Sequence, residues 1–367
     1  MIVSGSERLY IEERPSQLIE LPAITVADRE ALWSKCLGER AHTLNGTLPK
    51  IAQQFSLHPQ QIANLATQLS NSGDPQNLSQ QLWQACRQAA RPQLQDLAQR
   101  VTTHFTWDDL VFPEKTTQEL QSIIAAVRQR NQVYQDWGFA KPEDRGLGII
   151  ALFVGQSGTG KTTAAEMIAR ELELDCYRID LSNIVNKYIG ETEKNLKRVF
   201  DAAEGSGAML LFDEADAIFG MRGEVKEARD RYANQEVSYL LQRFETYPGL
   251  AILTSNLKDS IDDAFMRRLR YLFEFPQPTE TERQQIWQRV FPHQVPKEEL
   301  QYRRLAKLNA TGANIRNIAV NAAFLAADSR EPVTMGRLEQ AARSEYKKLG
   351  RSLSAPESAA MRMKPKP

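Results

Sequence analysis

The sequence predicts an α/β fold in which a parallel five-stranded sheet is preceded by a small all-α domain and followed by a helical one. Between residues 149 and 276, short apolar runs alternate with helical stretches, which is typical of a parallel sheet covered by helices on both faces. Residues 29–100, and the chain after 280, instead place apolar residues at helical spacing. The five predicted strands are IIALFV (149–154), DCYRIDL (175–181), AMLLFDEAD (208–216), LAILTSN (250–256) and YLFEFP (271–276).

Composition and charge restrict the classes of function. The 367 residues suffice for two or three domains, each with its own core. The 46 basic residues balance the 46 acidic ones, so the overall charge gives no reason to expect a nucleic acid or an anionic membrane as partner. No apolar run approaches the roughly 18 residues of a membrane span, and the N-terminal residues do not resemble a signal peptide. The three cysteines show no metal-binding spacing and are expected to be reduced, as in a cytoplasmic protein.

A phosphate-binding loop is predicted directly after the first strand. The run GQSGTGKTT, residues 155–163, fits the pattern GxxxxGK[ST] between a strand and a helix. Its glycines let the backbone approach phosphate, and the helix N-terminus supplies N–H groups and positive potential. Lys161 is predicted to reach the β- and γ-phosphates of ATP, and the Thr162 hydroxyl to ligate Mg²⁺. The predicted nucleotide-binding residues of this loop are Gly155, Ser157, Gly158, Thr159, Gly160, Lys161, Thr162 and Thr163.

Two adjacent carboxylates, Asp213 and Glu214, follow the apolar run AMLLF. The carboxyl ends of parallel strands are where ligands bind in such sheets. Asp213 is therefore predicted to hold Mg²⁺ together with Thr162, and Glu214 to orient and polarise an attacking water. A solvated strand end would explain one acidic residue well, but not two in succession after an apolar strand.

These motifs resemble those of AAA+ ATPases, a family of P-loop NTPases, over residues 106–349. The resemblance implies the AAA+ strand order and a C-terminal helical lid. It also implies that Asn256, at the end of the fourth predicted strand, holds the lytic water or the γ-phosphate. In IDDAFMRRLR, Arg267 and Arg270 match the arginine fingers that neutralise transition-state charge on a neighbouring subunit's ATP, which implies an oligomer. A solvated basic helix end is the alternative for these arginines.

Two further segments resemble parts of the family's nucleotide pocket. TWDDLV resembles the segment beside adenine, with Asp109, Leu110 and Val111 as the expected contacts. In the lid, Gly312 is expected near the nucleotide, and Arg316 is either a sensor 2 arginine or an unrelated residue. The Gly-Ala pair that begins at Gly312 resembles members of the AAA clade proper that lack this arginine, so both interpretations stay open.

The segment NKYIGETEKNLKRVF, residues 186–200, is similar to the central pore loop of the AAA clade proper. The triplet Tyr188, Ile189 and Gly190 matches its aromatic–hydrophobic–glycine pattern. An aromatic residue on such a loop can grip an extended polypeptide without reading its sequence. The alternative is a tyrosine buried in its own domain, and the polar run GETEKN argues against that alternative.

The start of the lid occurs twice in the chain. LPAITVADREALW (21–33) resembles FPQPTETERQQIW (275–287), and further pairs follow in the same order at a nearly constant separation. Residues 21–100 therefore resemble the lid of an earlier AAA+ module whose nucleotide-binding core is missing. A DNA-binding helix-turn-helix is the alternative, but Lys50 is the only lysine or arginine in its expected segment. The matching pairs are Trp33 and Trp287, Ile62 and Ile315, and Leu82 and Leu338.

These observations predict four regions and one leading function. The regions are a helical domain (1–103), the nucleotide-binding core (104–276), the lid (277–350) and a disordered tail (351–367). The expected function is a cytoplasmic, Mg-ATP-hydrolysing ring motor, a hexamer, that remodels or threads a protein substrate. The alternatives are an ATP-dependent assembly scaffold or switch without threading and, less favoured, a DNA-associated ATPase. An inactive-looking first module before an intact second one resembles AAA+ proteins associated with phage-tail-like contractile injection systems.

Overall fold

The computed structural model describes residues 24–44, 46–71, 77–91, 98–139, 148–181, 192–216, 239–256, 263–354 and 357–358. Its strands are β1 (Gln99–Val101), β2 (Ile149–Gly155), β3 (Cys176–Asp180), β4 (Met209–Asp213), β5 (Leu250–Ser255) and β6 (Tyr271–Phe275). Its α-helices are α1 (Val26–Leu37), α2 (Thr47–Gln54), α3 (Pro59–Asn71), α4 (Leu78–Ala89), α5 (Glu114–Arg128), α6 (Lys161–Glu171), α7 (Thr192–Ser206), α8 (Asp263–Met266), α9 (Glu280–Arg289), α10 (Tyr302–Leu305), α11 (Gly312–Ser329) and α12 (Met335–Lys348). Short helical turns span Gly38–Leu44, Trp107–Asp109 and Gln132–Asp136, and residues 239–246 are also helical.

The central sheet has the strand order β1-β3-β4-β5-β2-β6. The five predicted strands are confirmed, and they pair in parallel. The sheet holds one strand more than predicted, because β1 pairs antiparallel with the edge of β3. A run of three residues, QRV, is too short to show the two-residue alternation that marks a strand in sequence. Residues 99–101 fall in the region assigned to the N-terminal helical domain, yet they extend the core sheet.

Helices cover both faces of the sheet. On one face α5 and α6 pack against the strands through an apolar core that includes Ile123 and Phe153. On the other face α7 and helical residues 239–246 pack through a second core that includes Phe200 and Phe212. Every residue from Met209 to Asp213 is buried, as are those of β5, which explains why these strands read as continuous apolar runs.

The two helical units begin in the same way. Thr25 and Thr279 each cap a helix in a reciprocal bond with the acidic residue three positions later, Asp28 and Glu282 respectively. The paired residues identified in the sequence, Trp33 with Trp287, Ile62 with Ile315 and Leu82 with Leu338, are all buried at the centres of their units. The local structure therefore reproduces the repeat seen in the sequence.

An arginine in each unit makes the same two contacts, which sequence inspection did not single out. Arg29 donates through Nε to the Ala52 carbonyl at 2.9 Å and to the carbonyl of Ile24, just before the helix cap. Arg283 donates through Nε to the Ala306 carbonyl at 2.7 Å and to the carbonyl of Pro278, in the corresponding place. Each guanidinium therefore ties the start of its first helix to a later segment of its unit.

The N-terminal helical unit packs on the sheet edge where the strands begin. Asp175, just before β3, lies 2.9 Å from Arg91, 3.5 Å from Arg100 and 3.8 Å from Arg87. Gln54 donates to the Gly207 carbonyl at 2.6 Å, just before β4. This edge of the sheet, where the strands begin, is opposite to the edge at which β2, β4 and β5 end.

None of the described helices is long and apolar enough to span a membrane.

Part of the predicted disordered tail is ordered against the lid. Glu357 is 8% exposed and accepts bonds from the Asn309 backbone, the Tyr346 hydroxyl and Ser354. Burial of Glu357 raises its pKa, but these hydrogen bonds outweigh burial and lower the pKa to about 2 from 4.5. The segment shows no apolar period because the Glu357 carboxylate and a single apolar side chain, Leu353, hold it against the lid.

Replacing Glu357 with Gln should destabilise the lid, since the neutral amide loses charge-assisted bonds worth about 1–3 kcal/mol. Because folding lowers the pKa of Glu357, its contribution is present above about pH 4.5 and declines as the pH falls towards 2. Thermal unfolding at pH 7 should therefore show a lower midpoint for Glu357→Gln, and the difference should shrink at pH 3. Glu331→Gln, at a side chain 59% exposed in its pair with Arg337, is the matched control and should change stability little. An equal difference at both pH values would contradict this role.

Candidate functional site

The phosphate-binding loop runs from the end of β2 to the start of α6. Gly158 and Gly160 have φ values of 82° and 98°, in the left-handed region that favours glycine. A Cβ atom at position 158 would also lie 2.6 Å from the Thr311 hydroxyl and 2.8 Å from the Ala313 Cβ. The Ala313 N–H donates to the Gly158 carbonyl at 3.2 Å. The start of α11 in the lid therefore rests directly on the loop.

Lys161 is buried beneath the loop, with 7% of its surface exposed. Its ammonium donates to the carbonyls of Gly155 and Gln156, at 2.6 and 3.0 Å, and to Asn256 Oδ1 at 3.0 Å. Burial lowers the pKa of Lys161, while the carboxylates around it, Asp216 first among them, act in the opposite direction. The Lys161 ammonium therefore lies at the base of the loop, where it can make a charge-assisted contact with an anionic ligand.

The two residues predicted to bind Mg²⁺ are in contact. The Thr162 hydroxyl donates to Asp213 Oδ1 at 3.0 Å, and the Thr254 hydroxyl donates to the same oxygen at 2.5 Å. Arg178, on β3, lies 2.5 Å from Asp213 Oδ2. Sequence inspection missed Arg178, because its role depends on the pairing of β3 with β4. A hydroxyl and a carboxylate are hard oxygen ligands of the kind that Mg²⁺ prefers, so these residues fit the ion.

Glu214 has a left-handed backbone, with φ of 54°. Its N–H donates to the Thr254 hydroxyl at 3.2 Å, and the next N–H, of Ala215, donates to the Thr254 carbonyl at 2.9 Å. These bonds fasten the turn after β4 to the end of β5. The Glu214 side chain is exposed to the same cavity as Lys161 and Thr162, which is the position that a base acting on water requires.

Asn256 is held by a carboxylate that the sequence analysis did not select. Asp216 accepts bonds from the Asn256 backbone N–H, at 3.0 and 3.1 Å, and from Asn256 Nδ2 at 3.1 Å. It also accepts a short bond from the Ser255 hydroxyl. Asp216 is the second Asp of the sequence DEAD, two residues after Glu214. Its orientation towards Asn256 depends on the direction of the turn after β4, which the sequence alone does not show.

One cavity of about 700 Å³ lies between the core and the lid. Its lining includes Lys161, Thr162, Asp213, Glu214, Thr254 and Asn256, but not the predicted Gly155, nor Arg178 or Asp216. Gly312 and Arg316 of the lid also line it, and the Arg316 guanidinium lies 5.8 Å from the centre of the Phe105 ring. The loop side of the cavity is polar and the far side is mostly apolar. The apolar side includes the expected Leu110 and Val111 and, in addition, Phe112, Ile286, Val290 and Phe291.

Asp109 lines the cavity, but its carboxylate is already used. It accepts from the Thr106 N–H and hydroxyl, both at 2.7 Å, and these bonds lower its pKa. Arg289, on the lid helix α9, donates to the Asp108 carbonyl at 2.7 Å. The segment expected beside adenine is therefore braced by its own cap and by the lid.

Neither Arg267 nor Arg270 lines the cavity of its own chain. Arg267 is exposed, while the Arg270 guanidinium bonds the Tyr134 hydroxyl and lies 5.8 Å from the centre of the Tyr134 ring. The structure thus keeps both arginines outside the phosphate-binding side of this chain. The predicted pore-loop residues Tyr188, Ile189 and Gly190 lie outside the described residues.

Two protein-family models match separate parts of the chain. Residues 151–277 match the ATPase family associated with various cellular activities (AAA). Residues 25–92 match the contractile injection system ATPase helical domain. The second match covers the helical unit whose sequence resembles an AAA+ lid, in a chain that resembles AAA+ proteins associated with contractile injection systems.

Several curated proteins are similar over part of their length. The 26S proteasome subunit RPT4 of Saccharomyces cerevisiae is 30% identical over 257 residues, 66% of this chain and 57% of that protein. The uncharacterized AAA family ATPase y4kL of Sinorhizobium fredii is 31% identical over 189 residues, 50% of this chain and 53% of that protein. Proteasome-activating nucleotidase 1 of Haloferax volcanii is 28% identical over 240 residues, 63% of this chain and 58% of that protein. The chain thus spans somewhat more than half the length of these relatives.

Proposed function

We propose that the protein binds ATP with Mg²⁺ and hydrolyses it to ADP and phosphate, since residues 151–277 match the AAA ATPase family. One observation carries this proposal: a single cavity brings together the glycine loop, the buried cation, the hydroxyl–carboxylate pair and an exposed glutamate. Each of these groups has a separate task in phosphoryl transfer to water. A solvent-filled cleft without that task would not need a charged lysine that is only 7% exposed.

The side chains divide the chemistry among them. Loop N–H groups and Lys161 bind phosphate oxygens, while Thr162 and Asp213 would hold a magnesium ion, which would neutralise charge on the phosphates. Among the described residues no cluster of three His, Cys, Asp or Glu side chains could hold a metal. A single carboxylate with a hydroxyl suits an ion that takes its other ligands from nucleotide and water. Glu214 accepts a proton from the attacking water, and the apolar side of the cavity accommodates adenine.

The active form would be a homo-oligomeric ring, a hexamer, in which Arg267 and Arg270 act on the neighbouring subunit's ATP. Their place outside their own cavity supports this, since a cation that acts in the same chain would lie inside it. The similar proteins include one named as a proteasome subunit and one named as a proteasome-activating nucleotidase. These names support a motor that remodels or threads a protein substrate, with Tyr188 as the gripping residue.

The helical unit suggests where this motor works. Its match to the contractile injection system ATPase helical domain supports a role beside such a system. The three free cysteines of the chain support a cytoplasmic location. A nucleotide-dependent assembly scaffold that threads nothing is the second candidate, favoured by the extra helical unit bound to the core through Asp175. Nucleic acid is not favoured as partner, because the overall charge is zero.

Glu214→Gln should retain ATP binding and lose turnover by roughly 10²–10⁴-fold, since it removes the base but no phosphate contact. Lys161→Ala should instead weaken ATP binding, because it removes a charge-assisted contact. Calorimetric titration and a phosphate-release assay separate the two effects. Lys115→Ala, at a side chain 87% exposed on α5, removes the same charge away from the cavity and should match the wild type. Wild-type turnover in Glu214→Gln would contradict the proposed mechanism.

Two inactive variants should restore each other's activity when mixed. Subunits carrying Glu214→Gln keep both arginines, and subunits carrying Arg267→Ala and Arg270→Ala keep the base, so a mixed ring contains intact composite sites. Phosphate release should therefore rise after mixing and reach a maximum at intermediate ratios. Arg268→Ala, at the intervening arginine that pairs with Glu245, is the control and should need no complementation. Mixtures as inactive as their components would show that the arginines do not act across subunits.

Tyr188→Ala distinguishes the motor from the scaffold. A gripping residue takes no part in phosphate chemistry, so basal ATPase should stay within a few-fold while substrate-stimulated ATPase is lost. Tyr188→Phe keeps the aromatic ring and should retain stimulation. A buried structural tyrosine would behave differently, because deleting a core aromatic costs about 3–5 kcal/mol and would lower the melting temperature. Full activity with unchanged melting temperature would instead favour the scaffold.

A further inference from the structure

The orientation of the Asn256 amide is determined by its two partners. One end lies 3.1 Å from Asp216 Oδ2 and the other lies 3.0 Å from Lys161 Nζ. A carboxylate can only accept a hydrogen bond and an ammonium can only donate one. The nitrogen must therefore face Asp216 and the oxygen must face Lys161, since the reversed amide would oppose donor to donor and acceptor to acceptor.

Asp216 binds more of Asn256 than a turn requires. Its two oxygens accept from the Asn256 backbone N–H and from the Asn256 side-chain Nδ2, besides the Ser255 hydroxyl. The backbone and Ser255 contacts would suffice to join the turn after β4 to the end of β5. The contact with Nδ2 does something further, because it fixes the plane of the amide and directs its carbonyl oxygen towards Lys161.

We propose that Asp216 is a positioning residue that holds Asn256 with its carbonyl oxygen towards Lys161 and the reacting groups. This inference rests on the proposed ATP hydrolysis and assigns the part of Asn256 that the sequence left open. Phosphate oxygens are acceptors, so the Asn256 carbonyl oxygen cannot hold them. In this orientation the oxygen accepts an N–H of Lys161 and can accept an O–H of the attacking water.

A reciprocal exchange tests both the pairing and the direction of the bond. Asp216→Asn and Asn256→Asp, made separately, should each lower kcat roughly 10–100-fold, since a displaced group in an active site has effects of that size. The first removes the acceptor that holds Nδ2, and the second opposes two carboxylates. Made together, they place the donor at position 216 and a pure acceptor at position 256, with the charge of the pair unchanged. The double variant should recover at least about tenfold over the slower single variant.

The control and the accompanying measurements separate positioning from folding. Ser255→Ala removes a neutral donor from the same carboxylate and should change kcat no more than about threefold. The melting temperature should stay near the wild-type value in the single variants and in the exchanged protein, which separates positioning from a folding defect. The dissociation constant for ATP should change little in Asp216→Asn. A carboxylate at position 256 lies beside Lys161 and should weaken ATP binding, so kcat is compared at saturating ATP.

The possible outcomes are distinguishable. Recovery in the exchanged protein supports the proposal, because a carboxylate at position 256 could not donate to phosphate. A double variant as slow as the two single effects combined would overturn it, as would Asp216→Asn with wild-type kcat. Wild-type protein that fails to hydrolyse ATP would contradict the proposed function itself and remove the basis of this inference. The first two results leave ATP hydrolysis intact and refute only the role of Asp216.

Discussion

The parallel pairing of β4 and β2 on either side of β5 is the constraint on which the site depends. Because the three strands run in the same direction and are adjacent, their carboxyl ends meet at one edge. That edge brings Asp213 and Thr162 into contact and places Asn256 beside Lys161. Residues separated by nearly a hundred positions in the chain thus become neighbours through strand pairing. Among the described residues, only the lid of the two helical units lines the cavity, since the N-terminal unit packs where the strands begin.

The sequence predicted those parts of the fold and site whose signal is local. The buried strands read as unbroken apolar runs, and the glycine loop carries its own spacing. The sequence did not predict β1, because its three residues are too few to show the two-residue alternation of a strand. It did not predict the ordered part of the tail, because Glu357 binds there through hydrogen bonds. Arg178 and Asp216 were missed for a different reason. Their partners are set by strand pairing and by a turn direction, and neither can be read from neighbouring letters.

The two helical units show how much of a fold a short pattern can preserve. The capping threonine, the acid three residues later, the arginine and the buried tryptophan recur with the same contacts in both. Their surroundings differ. The C-terminal unit touches the phosphate-binding loop at Gly158, whereas the N-terminal unit touches the opposite edge of the sheet through Asp175 and Gly207. The same local architecture thus serves at two ends of the core, and only one of the copies meets the cavity.

The left-handed backbone at Glu214 has a consequence for the evolution of stability. A side chain with a Cβ atom is less stable in that conformation than glycine, typically by about 1 kcal/mol or more. Folding alone would therefore favour glycine or asparagine at this turn, and either would remove the carboxylate. Variants selected only for heat resistance should tend to lose the glutamate and, with it, the chemistry. At this position the protein is less stable than it could be, because the residue presents a reactive carboxylate. The conflict between stability and activity is limited to this one residue.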